Sequence, residues 1–158
     1  MDVADIGGAR SKCTRARVGC VIVDEAQNVL AVSYNGPPPH YPAEGSCINW
    51  CPRAQGLGGT TNDYSNCPST HAEINAISRM SRNHGVTTTA YVNRMCCNTC
   101  AKALASAGVS RVVCKVTDID GHLDSEGVAT YLAACGVILD LMETQIATTR
   151  GYASSSGE

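Results

Sequence analysis

His71 and Glu73 are separated by one residue, and downstream of them Cys97 and Cys100 bracket Asn98-Thr99. One imidazole and two thiolates can hold a zinc ion while leaving its fourth tetrahedral position open, the pattern of a catalytic site. Water in that position has its pKa lowered to about 7, so hydroxide becomes available near neutrality. Glu73 need not bind metal. A carboxylate there can take the water's proton and pass it to a ring nitrogen or a leaving amine. The plainer alternative is a structural zinc knot with an incidental glutamate; against it, the His, the Glu and the Cys pair each stand where a helix is expected to begin.

The elements that must position these side chains can be read on either side of them. Residues 2–12 read as a short first helix, weakened by Gly7-Gly8. The dense apolar run 18–23 reads as a buried strand, 29–34 as its partner, and 24–28 as the hairpin loop. A helix is expected over 71–83, with Ser69 or Thr70 as N-cap and Gly85 as stop. The β-branched stretch 87–93 predicts a third strand, 98–107 a second catalytic helix closed by Gly108, and 111–114 a fourth strand. Residues 124–134 predict a last helix and 136–139 a short fifth strand. A hairpin followed by alternating helices and strands argues a three-layer α/β/α sandwich with a mixed, about five-stranded sheet. Residues 1–147 read as one domain, and 148–158 as a flexible tail.

All six prolines fall within a Cys-, Pro- and Gly-rich insert at 36–68, which also carries Trp50, the only tryptophan. A loop of that length in a compact domain needs something to order it. The insert holds Cys47, Cys51, Cys67 and His40, so a metal is the expected organiser.

Composition narrows the partners. In 158 residues, 44% are apolar and 16% charged, with a formal net charge of −2. A balance so near neutral carries no electrostatic footprint for nucleic acid or an anionic membrane, which points to a small substrate. Ten cysteines without a basic, apolar leader at the start of the chain fit reduced or metal-bound thiols in the cytoplasm better than a secreted disulfide framework. No stretch approaches the roughly 20 apolar residues that span a bilayer.

The His-Ala-Glu-Ile-Asn-Ala-Ile run at 71–77, Cys-Ala-Lys at 100–102 and Tyr34-Asn35-Gly36 together resemble the deoxycytidylate (dCMP) deaminase family of the zinc-dependent cytidine/deoxycytidylate deaminases. The likeness runs from Arg10-Ser11-Lys12 to about Val116. It implies a cytidine deaminase-like fold, a catalytic zinc on His71, Cys97 and Cys100, and hydrolysis of dCMP to dUMP and ammonia with Glu73 as proton shuttle. The family has Pro before the first Cys where this chain has Cys96, which opens a second register, Cys96-x3-Cys100. We favour Cys97-x2-Cys100, because a one-turn CxxC grips metal from a helix start. The element around Asn35 is similar to Gly-Tyr-Asn-Gly with Ser33 in place of the first Gly. The resemblance implies that the Asn35 amide holds the sugar 3′-hydroxyl, that Tyr34 and Gly36 shape the wall, and that Ala72, between ligand and acid, contacts substrate.

A monophosphate needs a positive clamp, and Arg10, Lys12, Arg15 and Arg17 precede the first strand; Arg10 and Lys12 are the preferred pair. The resemblance further implies a second, structural zinc. Its best ligand set is Cys13, Cys47, Cys51 and Cys67, with His40 able to replace one member. Cys20, Cys114 and Cys135 lie in apolar runs and read as small core residues. Arg82-Asn83 stands where regulated members carry a pair that binds dCTP or dTTP effectors, and homo-oligomers, often hexamers, are common. Two other functions compete: deamination of a base within a polynucleotide, as in tRNA adenosine deaminases, and a non-catalytic zinc-stabilised module.

Overall fold

The computed structural model describes residues 1–57, 66–80, 86–116 and 124–143. The expected tail and Arg82-Asn83 lie outside the described residues. Among the described residues, nine helices and strands position the site: α1 (Asp2–Ala9), β1 (Gly19–Asp24), β2 (Val29–Tyr34), α2 (Ala72–Arg79), β3 (Thr88–Val92), α3 (Asn98–Ser106), β4 (Arg111–Val116), α4 (Ser125–Ala134) and β5 (Ile138–Glu143). A 3₁₀ turn, Cys47–Asn49, lies in the described part of the insert.

The strands form one sheet in the order β2-β1-β3-β4-β5. β1 pairs antiparallel with both β2 and β3, whereas β3, β4 and β5 run parallel. The parallel half is reached through α3 and α4, since parallel neighbours need a crossover. Side chains of α2, α3 and α4 cover one face, meeting Cys20, Ile22, Ala90, Val92, Val112 and Cys114. Leu104 and Leu132 are fully buried there, and truncating either to Ala costs about 2–5 kcal/mol. The other face carries α1, whose Ala4 packs with Val21, Val23 and Tyr91. The expected mixed three-layer architecture is present.

Several boundaries differ for local reasons. α1 ends at Ala9 instead of continuing to residue 12. Its approach to β1 is so close that a β-carbon on Gly19 would overlap the Ala4 carbonyl, so the helix lies where only glycine on the strand allows it. The fifth strand starts at Ile138, not 136, because Gly136 takes a left-handed φ of +72° and Val137 still bonds to the Leu132 carbonyl as the helix exits. Cys135 caps that helix and is exposed, so it is not a core residue; Cys20 and Cys114 are fully buried as expected.

Candidate metal centre and nucleotide pocket

α2 begins at Ala72 with His71 as N-cap, not Ser69 or Thr70. Thr70 is still extended, bridged to Gly36 through both backbone bonds (3.1 and 2.9 Å). That bridge delays the helix by one residue and leaves His71 at the corner. Cys97 is likewise the N-cap of α3, and Cys100 lies in its first turn. Neither cap side chain bonds the helix backbone. Both positions therefore forgo the roughly 1 kcal/mol that Ser or Asp would give, and the side chains face each other instead.

The ligand atoms of His71, Cys97 and Cys100 lie within 4.8 Å of one another. His71 Nδ1 is 3.3 Å from Cys100 Sγ and 3.6 Å from Cys97 Sγ. No other trio of His, Cys, Asp or Glu among the described residues is gathered so closely. One nitrogen and two sulfurs are the donor set zinc prefers, and three protein ligands leave a position free. Cys96 is fully buried in the core and stands outside the trio.

The electrostatics are those of a site made for a cation. Cys97 is pushed down to about 4, first by the hydrogen bond from Cys100 and then by His71. Cys100 is pushed up as the partner that keeps its proton. The His71 imidazole is raised, chiefly by its hydrogen bond to Cys97. A metal ion must displace the protons on Cys100 and His71, so its binding weakens as pH falls. Glu73, 3% exposed, has its carboxyl raised by burial, against smaller opposing effects from its own backbone amide and His71. A carboxyl raised by burial holds its proton more readily than a free one, which suits it to carry a proton.

The other expected residues separate into groups. Asn35 is anchored on both sides of its carboxamide: Oδ1 accepts from the Val18 amide (2.9 Å) and Nδ2 donates to the Ala16 carbonyl (3.0 Å). Each atom keeps capacity for one further bond. Tyr34, Asn35, Arg10 and Lys12 line one cavity of about 240 Å³, whereas Arg15 and Arg17 do not. Ala72 is fully buried with its methyl in the core cluster, so any contact with a ligand runs through its backbone. In the insert, Cys51 and Cys67 sulfurs are 3.8 Å apart, and Cys47 Sγ accepts from the Thr14 amide at 3.2 Å. Cys13, Cys47, Cys51 and Cys67 do not converge as the first trio does, and His40 is exposed.

Two residues without an expected role stand out. Asn75 Nδ2 donates to the carbonyls of Tyr34 (3.0 Å) and Gly36 (3.3 Å), tying the turn around Asn35 to α2. Arg79 lines the cavity and donates to the Ser33 hydroxyl at 2.5 Å. Their signal in the sequence is spacing: His71, Asn75 and Arg79 recur every fourth residue, which puts them on one helix face.

Three side chains able to hold a metal ion beside a buried acid, on two helix starts over a mixed sheet, define a candidate metal centre with a proton-carrying group at its side. Residues 2–116 match the cytidine and deoxycytidylate deaminase zinc-binding region, and the chain belongs to that family. It is 37% identical over 115 residues to the deoxycytidylate deaminase of Saccharomyces cerevisiae, covering 72% of this chain and 35% of the yeast protein. It is 34% identical over 118 residues to that of Mycobacterium phage D29, covering 72% and 88% of the two. The chain thus spans about a third of the yeast relative's length. Its fold matches the dCMP deaminase of cyanophage S-TIM5, solved in complex with dCMP and dUMP, with a TM-score of 0.68 at 24% identity over 89% of this chain and 92% of that one.

Proposed function

We propose that this chain hydrolyses dCMP to dUMP and ammonia, with zinc held by His71, Cys97 and Cys100 and Glu73 as the proton carrier. The observation that carries the reading is the convergence of that trio next to a buried carboxyl. Bound there, zinc supplies the Lewis acidity that makes water a nucleophile at neutral pH. Glu73, kept protonatable by burial, delivers a proton to N3 of the ring and then to the departing amine. Water supplies the oxygen that replaces nitrogen at C4, so the exchange balances. The related deoxycytidylate deaminases and the shared cytidine deaminase-like fold support dCMP as the substrate.

Asn35 would use its remaining bonding capacity on the sugar hydroxyl, beside Tyr34, and Arg10 and Lys12 would meet the phosphate. The second metal on Cys13, Cys47, Cys51 and Cys67 is supported by the Cys51–Cys67 approach and by the Thr14–Cys47 bond, which brings the first segment against the insert. The described cysteines are all free thiols, which fits a reducing cytoplasm. Among the described residues no helix is long and apolar enough to cross a membrane. Assembly as a homo-oligomer is supported by exposed Ile138, Leu141 and Met142 on the edge strand β5; effector binding at Arg82-Asn83 rests on the family resemblance alone.

Ammonia release from dCMP by the purified protein tests the reaction. Glu73→Ala should lower turnover by about 10²–10⁴-fold while elemental analysis still finds its zinc. Undiminished release by that variant would remove Glu73 from the chemistry.

A further inference from the structure

The cavity lined by Tyr34, Asn35 and Asn75 carries more positive charge than the expected pair provides. Arg10, Lys12 and Arg79 all line it, and no Asp or Glu is among its described lining residues. None of the three cations has a carboxylate partner among the described residues. Lys12 donates to the Ala43 carbonyl at 2.9 Å, and Arg79 donates to Ser33. Three uncompensated cations around one concave space form an anion site.

Arg79 differs from the other two in how it is held. Ser33 is 1% exposed, so its hydroxyl is a fixed point on β2 under an otherwise solvent-facing guanidinium. Anchoring one nitrogen leaves the rest of the planar fork aimed and reduces the rotamer freedom that binding would otherwise cost. The geometry of α2 then sets the direction. Eight residues of helix separate His71 from Arg79, a rise of about 12 Å, so the two side chains stand at opposite ends of one helix face. Asn75, midway, secures Tyr34 and Gly36 to the same helix face.

We infer that Arg79, oriented by Ser33, is a specificity-determining residue that joins Arg10 and Lys12 on the phosphate of the nucleotide whose base lies at the metal. This rests on the mononucleotide reading above. It also gives a purpose to Ser33 where the related element has glycine: the hydroxyl aims an arginine.

The experiment compares dCMP with deoxycytidine as substrates, and dUMP with deoxyuridine as ligands by calorimetry, on the zinc-loaded protein. Arg79→Ala should raise KM for dCMP by about 10–100-fold, the worth of a charge-assisted bond, with kcat moving much less. The preference for dCMP over deoxycytidine should fall about as far, and dUMP should bind correspondingly more weakly. Ser33→Gly should give a smaller change in the same direction, and Arg79→Lys should recover part of the loss as a point charge without the fork. A proportional loss for both substrates would reduce Arg79 to a structural role and overturn the inference. So would an unchanged KM for dCMP accompanied by weakened dCTP binding, which would assign the cavity to a triphosphate effector. If dCMP is not turned over at all, the deaminase reading fails; weakened dUMP binding by Arg79→Ala would then still support the phosphate site, and unchanged binding would end it.

Discussion

His71, Cys97 and Cys100 sit at the starts of two helices that are packed on the sheet, whereas Cys47, Cys51 and Cys67 sit in a segment whose one regular turn among the described residues is three residues long. The first set is gathered within 4.8 Å; in the second, only Cys51 and Cys67 approach, at 3.8 Å. The difference follows from what orders each set. Helix starts are fixed by burial of Ala76, Ala101 and Leu104, so the trio's geometry follows from the core. The described part of the insert has no such helix, and its sulfurs come together at Cys51 and Cys67. In the first case the fold makes the site. In the second, under the proposed reading, a metal would help make the fold, and its binding free energy would become folding free energy.

Two substitutions pull this contrast apart. Cys100→Ser should remove the catalytic zinc and with it nearly all turnover, while the thermal midpoint falls modestly because the helices keep their core. Cys51→Ser should also halve the zinc content, but its effect should be a lowered midpoint and faster proteolysis within 36–68, with turnover largely kept. Each kcal/mol lost corresponds to about 2–4 °C for a chain of this size. Equal losses of turnover in both variants, or full zinc content in Cys51→Ser, would collapse the distinction.

The same contrast explains what could be read from the sequence. β2 was legible residue for residue because its apolar run is bounded by a polar loop and by Asn35-Gly36, and α3 because Gly108 ends it; the family resemblance gave the metal trio its pairing. The start of α2 was misplaced by one residue, since Thr70 is a good cap in isolation and only the Gly36 bridge, distant in sequence, keeps it extended. Cys135 is exposed where its apolar run predicts a core residue, because such a run does not say which side of a helix exit faces water. Arg79 was passed over for a related reason. An arginine at the end of an amphipathic helix usually just meets solvent, and its role depends on a serine on another element.

A gentler probe concerns the cost of holding Glu73 ready. Burial raises its carboxyl above the ordinary value of about 4.3. The stability this protonated form gives the folded state is fully present below the unfolded pKa and is lost as pH rises through the higher folded one. In metal-stripped protein, Glu73→Gln removes that dependence. Its thermal midpoint should therefore exceed that of the parent chain by a margin that widens as pH rises above about 4, the ordinary carboxylate value. A margin that stays constant as pH rises would mean that burial does not govern this carboxyl.

The smallest effect is expected at Cys135, which belongs to neither set. It is exposed at the end of α4, and its side-chain hydrogen bond is to Tyr131, one that serine can also make. Cys135→Ser should change unfolding free energy by no more than about 0.5 kcal/mol, leave zinc content and turnover as they were, and abolish the fast phase of alkylation by a thiol reagent. That result would show that sulfur matters in this chain by placement and not by number. A marked loss of zinc or of activity would instead show a cysteine outside both sets sharing in metal binding, and the division between a site made by the core and a site made by its ion would no longer hold.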